Sequence, residues 1–163
     1  MKELVDVARA NDALANRIHR LSQRLIRAHT LLETINAVEA SLREDFEAMH
    51  SVLLLFIDEA RTLDGQAGRF LRSGNPGDAD IKTFESLLQS GKPRCGQVRD
   101  AQRDYLFGKD SVEIGSVALT PLGPKGELGL LAIGASDAQR FHPAMSTEFL
   151  SRIGELVTYS LMR

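Results

Sequence analysis

A single cysteine, Cys95, rules out an intramolecular disulfide framework. Long apolar runs are also missing. The longest, Val52 to Ile57, is far shorter than the ~20 residues a helix needs to cross a bilayer. No secretory leader is visible at the N-terminus, so the expected location is the cytoplasm, although Met1 opens directly onto a heptad pattern, as an excised piece of a longer chain would. Signatures of known chemistry are lacking as well. There is no Gly-x-Ser-x-Gly elbow, no His-Glu-x-x-His zinc helix and no phosphate loop, since Gly123, Gly126 and Gly129 have neither the spacing nor the Lys-Ser/Thr ending of one. A net charge of −2 gives no global case for nucleic acid. At 163 residues the chain suffices for one globular domain and an extended helix.

What is present begins with a seam. Leu4, Asn11, Ile18, Leu25, Leu32 and Glu39 fall at position a of a heptad, with Val7, Leu14, Leu21, Ala28, Ile35 and Leu42 at position d. The spacing predicts a long dimerising helix over residues 1–44, with Leu4, Val7, Asn11, Leu14, Ile18, Leu21 and Leu25 facing a second copy. Asn11 at an a position can pair with its own copy and favours two parallel strands. The competing reading is one amphipathic helix lying on its own domain, because Ile26, Leu31 and Val38 widen the stripe. Arg17, Arg20, Arg24 and Arg27 share one helical stripe, and no acid falls between Asp12 and Glu33. That stripe is either solvation flanking the seam or an anion surface for a partner.

After residue 44 the period changes. Ser51 to Ile57 reads as a buried strand, Arg69 to Ser73 as a weaker one, and Gly74-Asn75-Pro76-Gly77 as a turn. A short helix with Ile81, Phe84, Leu87 and Leu88 on its apolar face is closed by Gly91 and Pro93. Cys95 to Val98 marks a short strand, Arg99 to Gly108 an irregular loop, and Gly115 to Pro121 with Glu127 to Gly134 an antiparallel hairpin. From Pro143 on, Met145, Phe149, Ile153 and Leu156 line one helical stripe beside Leu150, Gly154, Val157 and Leu161.

This order of elements resembles a GAF domain, most closely in Gly115 to Leu122, Gly129 to Gly134, and Arg140-Phe141 before the final helix. Within that superfamily the chain looks like the bacterial domain-of-unknown-function family four-eight-four. Val7 to Asp12, Pro93-Arg94-Cys95-Gly96, Leu106-Phe107-Gly108 and Gly134 to Asp137 leading to Arg140-Phe141-His142-Pro143 carry that narrower match. The resemblance implies an α+β fold, with an antiparallel sheet of about six strands over residues 45–163. The long N-terminal coiled-coil helix and the C-terminal helix would pack on one face, and a ligand pocket would open on the other.

For that pocket the candidates are Phe56, Arg72, Cys95, Arg103, Tyr105 and Phe107, on strands or the irregular loop where the resemblance locates the cavity. The Asn-Lys-Phe-Asp-Glu set of cyclic-nucleotide members is not matched: there is no Asn-Lys pair, and Asp58-Glu59 sits in an early loop. Cys95 lacks the resolving thiols of a sulfoxide reductase; it could anchor a tetrapyrrole or haem, against the plainer reading of a buried inert thiol. Glu47 and His50, one helical turn apart, are the one weak metal pair. The resulting expectation is a non-catalytic sensory or regulatory module with no metal and an unidentified ligand, dimerising through its terminal helices. The alternative is a ligand-free dimeric scaffold binding a protein or nucleic acid through the arginine stripe. With no aromatics interleaved among the arginines, nucleic acid is the weaker of those two partners.

Overall fold

The computed structural model describes residues 2–63 and 65–163, the side chains of residues 2, 3, 6 and 7 excepted. The chain opens with α1, Lys2–Arg27, and turns through residues 28–30 into α2, Leu31–Asp45. The single helix expected over residues 1–44 is therefore two. At the break the Thr30 hydroxyl accepts from the Glu33 N–H at 3.1 Å, while the Glu33 carboxylate accepts from the N–H groups of Thr30 at 3.2 Å and His29 at 2.7 Å. This capping box satisfies amide donors that a new helix start leaves open. The Arg163 side chain donates to the Leu25 carbonyl at 2.7 Å, at the other side of the break. The two helices pack on one another, so Ile35, Val38 and Leu42 are buried in the chain's own core.

Among the described residues five strands form one sheet: β1 His50–Leu55, β2 Leu71–Ser73, β3 Arg94–Gly96, β4 Ser116–Leu122 and β5 Gly129–Ala135, in the order β2-β1-β5-β4-β3. The expected six antiparallel strands become five in a mixed sheet, because β1 and β2 run parallel. Five is the number the residue pattern itself marked; the sixth came from the resemblance. β1 pairs along its length with β5, and β4 and β5 form the expected hairpin, with Ser116 opposite Ala135 and Leu122 opposite Gly129. At Gly129, φ is 147° and a Cβ would stand 2.0 Å from the Leu54 carbonyl oxygen, so only glycine fits the close approach of β1.

Strand alternation divides the apolar residues between two layers. Leu53, Leu55, Ala118, Leu122, Leu131 and Ile133 meet Leu21, Leu25, Ile35, Val38 and Leu42 of the first two helices, and Leu150, Ile153 and Val157 of α7, Glu148–Met162. Val52, Leu54, Val117, Leu119, Leu130 and Ala132 meet the opposite layer. That layer contains α4, Ala79–Lys82, α5, Glu85–Ser90, and α6, Asp100–Phe107, following the one-turn α3, Asp58–Arg61. The stretch read as an irregular loop is thus helical, α6 followed by a 3-10 turn over Gly108–Glu113. Leu106 and Phe107 at its end are buried and hold it to the sheet.

α7 lies close on β4. A Cβ at Gly154 would come within 2.7 Å of Thr120 Cγ2, and the Gly123 N–H donates to Thr158 Oγ1 at 3.0 Å. No described helix is long and apolar enough to cross a membrane.

Candidate functional site

The face opposite α1, α2 and α7 carries a cavity of about 770 Å³ between β1, β2, α6 and the 3-10 turn. Met49, Val52, Leu71, Leu106 and Phe107 supply apolar wall, and His50, Arg69, Arg72, Asp104, Lys109 and Asp110 supply charge or titratable groups. β2 places Arg72 here by pairing it with Leu54, whose side chain belongs to this layer. The Arg72 guanidinium lies 4.4 Å from the centre of the Tyr105 ring and donates to the Tyr105 carbonyl oxygen. A cation held over a ring face in this way is stabilised by the ring quadrupole and locks both side chains. Burial pushes the Tyr105 phenol up from its ordinary range, opposed by Arg72 and assisted by Asp78 and Asp80. Ser111 Oγ donates to Asp104 Oδ1 at 2.6 Å, and Arg69 pairs with Asp110 at 3.1 Å, joining the start of β2 to the 3-10 turn.

One wall is an open strand edge. Alternate residues of a strand direct their N–H and C=O groups to the same side. The Leu53 N–H donates to the Phe70 carbonyl and the Leu55 carbonyl accepts from the Gly74 N–H, so both point toward β2. Ser51, two residues before Leu53, points its main-chain groups the same way, but β2 reaches only Leu53 to Leu55. The cavity occupies the space beside Ser51.

Of the six pocket candidates, Arg72, Tyr105 and Phe107 come together here. Cys95 does not. It pairs with Ala118 and packs on the helix-face core, and it borders a separate cleft of about 160 Å³. Small-molecule pockets usually enclose ~300–1,000 Å³, more than this cleft. Burial also pushes the Cys95 thiol up, which lowers its thiolate fraction. Phe56 packs into the second core, and Arg103 turns to Asp100 at 3.2 Å; neither lines the cavity. His50, Arg69 and Lys109 are lining residues the sequence reading missed, because their approach depends on where β2 stops and the 3-10 turn begins. Glu47 and His50 share no helical turn: Glu47 has φ 55°, His50 opens β1, and its Nε2 faces Glu113 at 3.4 Å. Among the described residues no group of three or more His, Cys, Asp or Glu stands together as a metal site.

The arginine stripe is not an unbroken cationic surface. Arg20 pairs with Asp45 at 3.2 Å and Arg24 with Glu44 at 2.6 Å, because α2 brings its acidic end alongside α1. Arg24 holds the Glu44 carboxyl below its ordinary range by hydrogen bond and charge. Along the seam, Leu21 and Leu25 are buried within the subunit, Leu14 and Ile18 are half-buried, and Leu4 and Asn11 are exposed; the Val7 side chain lies outside the described residues.

A mixed five-stranded sheet with helices packed on both faces makes this an α+β fold. The chain belongs to the family described as "Protein of unknown function, DUF484", whose model matches residues 1–163. No curated protein matches it.

Proposed function

We propose that this chain is a non-catalytic, GAF-like sensory or regulatory module of the cytoplasm that dimerises through its terminal helices and binds a small molecule beside β1, β2 and α6. The observation that carries the reading is the cavity of about 770 Å³ on the face opposite the terminal helices. Its size falls within the range of small-molecule sites, and it combines apolar walls with a few polar groups. The strand order β2-β1-β5-β4-β3, with the first and last helices layered on one face, supports the GAF-like reading.

The same strands connect the two faces. Val52 and Leu54 of β1 line or underlie the cavity side, while Leu53 and Leu55 pack against the helices. A ligand that favours one position of β1 and α6 therefore biases the packing of α1 on α7, provided it binds the two arrangements unequally.

Native mass spectrometry of protein purified gently from its own host tests the reading. The expected spectrum carries a reproducible small-molecule increment, lost on denaturation and reduced in Arg69→Ala and Lys109→Ala, whose exposed side chains can be removed without opening the core. Bare protein in every preparation, or an increment indifferent to both substitutions, would overturn the ligand site.

A further inference from the structure

The first half of α1 lies largely outside its own subunit. Leu4 is 73% and Val5 49% exposed, and Ala8 to Asp12 are exposed as well. Burial begins partway at Ala13 and Leu14 and is complete at Leu21. Where α1 meets the start of α7, a groove of about 650 Å³ runs between them, its apolar wall made by Leu14, Ile18, Phe46, Met145 and Phe149. Arg17, Arg140, Arg152 and Glu148 form the rim. Arg140 donates to the Phe46 carbonyl at 2.9 Å and Arg152 pairs with Glu148 at 3.3 Å, while Arg17 faces the groove with no such partner among the described contacts.

We infer that this groove receives the first turns of α1 from a second copy of the chain, so that two α1 helices cross antiparallel and each inserts Leu4 beside the other's Leu14 and Phe149. The inference deepens the dimeric reading above and rests on it.

Shape and charge both favour this occupant. The groove is flanked by α7, so an incoming element must be slim, and the exposed first turns of α1 are a bare helix with alanines at Ala8, Ala10, Ala13 and Ala15. In that half Glu3, Asp6 and Asp12 stand against Lys2 and Arg9, whereas the half from Arg17 to Arg27 carries four arginines and no acid. Antiparallel crossing lays the end of α1 that carries Glu3 against Arg17 of the other copy, which, unlike Arg20 and Arg24, has no acid beside it among the described contacts. In heptad register Glu3 and Arg17 both occupy g, flanking positions that face one another across an antiparallel pair.

The parallel arrangement favoured by Asn11 would set Arg17 at g against Ser22 at e of the second copy, with no acid opposite it. It would also need the seam to continue through Leu21 and Leu25, which α2 and α7 already cover. The usable seam is therefore Leu4 to Ile18.

Cysteine cross-linking decides between the arrangements. In a Cys95→Ser background, Leu4→Cys protein is mixed with Arg152→Cys protein under mild oxidation, and light scattering gives the mass. Each variant chain then carries a single cysteine, so a mixed Leu4–Arg152 link can form only between two chains. The expected result is a dimer in which the mixed Leu4–Arg152 cross-link dominates. Charge reversal supplies a second measurement: Arg17→Glu weakens the dimer roughly tenfold, and adding Glu3→Arg restores it. A dimer linked Leu4 to Leu4, or one with no mixed link and no rescue, would overturn the antiparallel seating while leaving dimerisation intact. A monomer would overturn both, and the cavity reading would stand or fall separately on its own mass increment.

Discussion

At Thr30 the chain leaves one helix and starts another, and the hydroxyl that accepts from the Glu33 N–H does so where four amides would otherwise lack partners. Replacing Thr30 by alanine should cost about 1 kcal/mol in urea unfolding, the usual worth of such a cap. Gly129 is the sterner case. With φ at 147° and the Leu54 carbonyl oxygen 2.0 Å from where a Cβ would stand, Gly129→Ala should lose on the order of 3 kcal/mol and loosen the β1–β5 pairing, visible as faster amide exchange in β1. Cys95 offers a chemical readout. Because burial raises its thiol, alkylation should follow a pH profile displaced upward from that of a small free thiol; a profile displaced downward would mark an activated cysteine instead. Thr30-x-x-Glu33 was legible as a capping box in the sequence, but the unbroken heptad count across Ala28 masked it.

At the scale of elements, the α1–α2 contact decides what the arginine stripe can do. Asp45 and Glu44 are distant from Arg20 and Arg24 in sequence and become partners only through the turn at residues 28–30. Glu44 is held below its ordinary range, so its contribution is present above the unfolded carboxylate range and disappears as pH falls through the folded value. Wild type and Glu44→Gln should therefore differ in stability near neutral pH and converge in acid; equal stability throughout would show the pair to be inert. The helix over Asp100–Phe107 was missed for a comparable reason. Arg99 to Asp104 is polar and carries no apolar period; the segment is held helical by Gln102 Oε1 accepting from the Arg99 N–H at its start and by the burial of Leu106 and Phe107 against the sheet at its end. The β4–β5 hairpin was legible because alternating residues flank a glycine-rich turn, and both faces of those strands are covered.

For the whole molecule, the arrangement of one helical layer, one sheet and one shorter helical layer puts the cavity and the exposed seam on opposite faces. If the terminal helices dimerise, the denaturation midpoint should rise with protein concentration, because association stabilises only the folded chain. A midpoint independent of concentration over a hundredfold range would point to a monomer or to a dimer that survives unfolding. If a ligand occupies the cavity as proposed, removing it should leave that concentration dependence present but altered in size, since the proposed coupling is a difference in affinity between two helix arrangements.

From the amino-acid sequence alone came the α+β class, the hairpin, the amphipathic first and last helices, and three residues, Arg72, Tyr105 and Phe107, that line one cavity. Each follows from local periodicity or turn chemistry, or from a resemblance carried by short segments. Tertiary structure decided the rest: that the first helix breaks and returns, that Arg20 and Arg24 find acids, that Cys95 lies on the face away from Arg72, and that β2 stops short of Ser51. These depend on which residues meet across twenty or more positions of chain, and burial against a distant surface outweighs the local pattern wherever the two disagree.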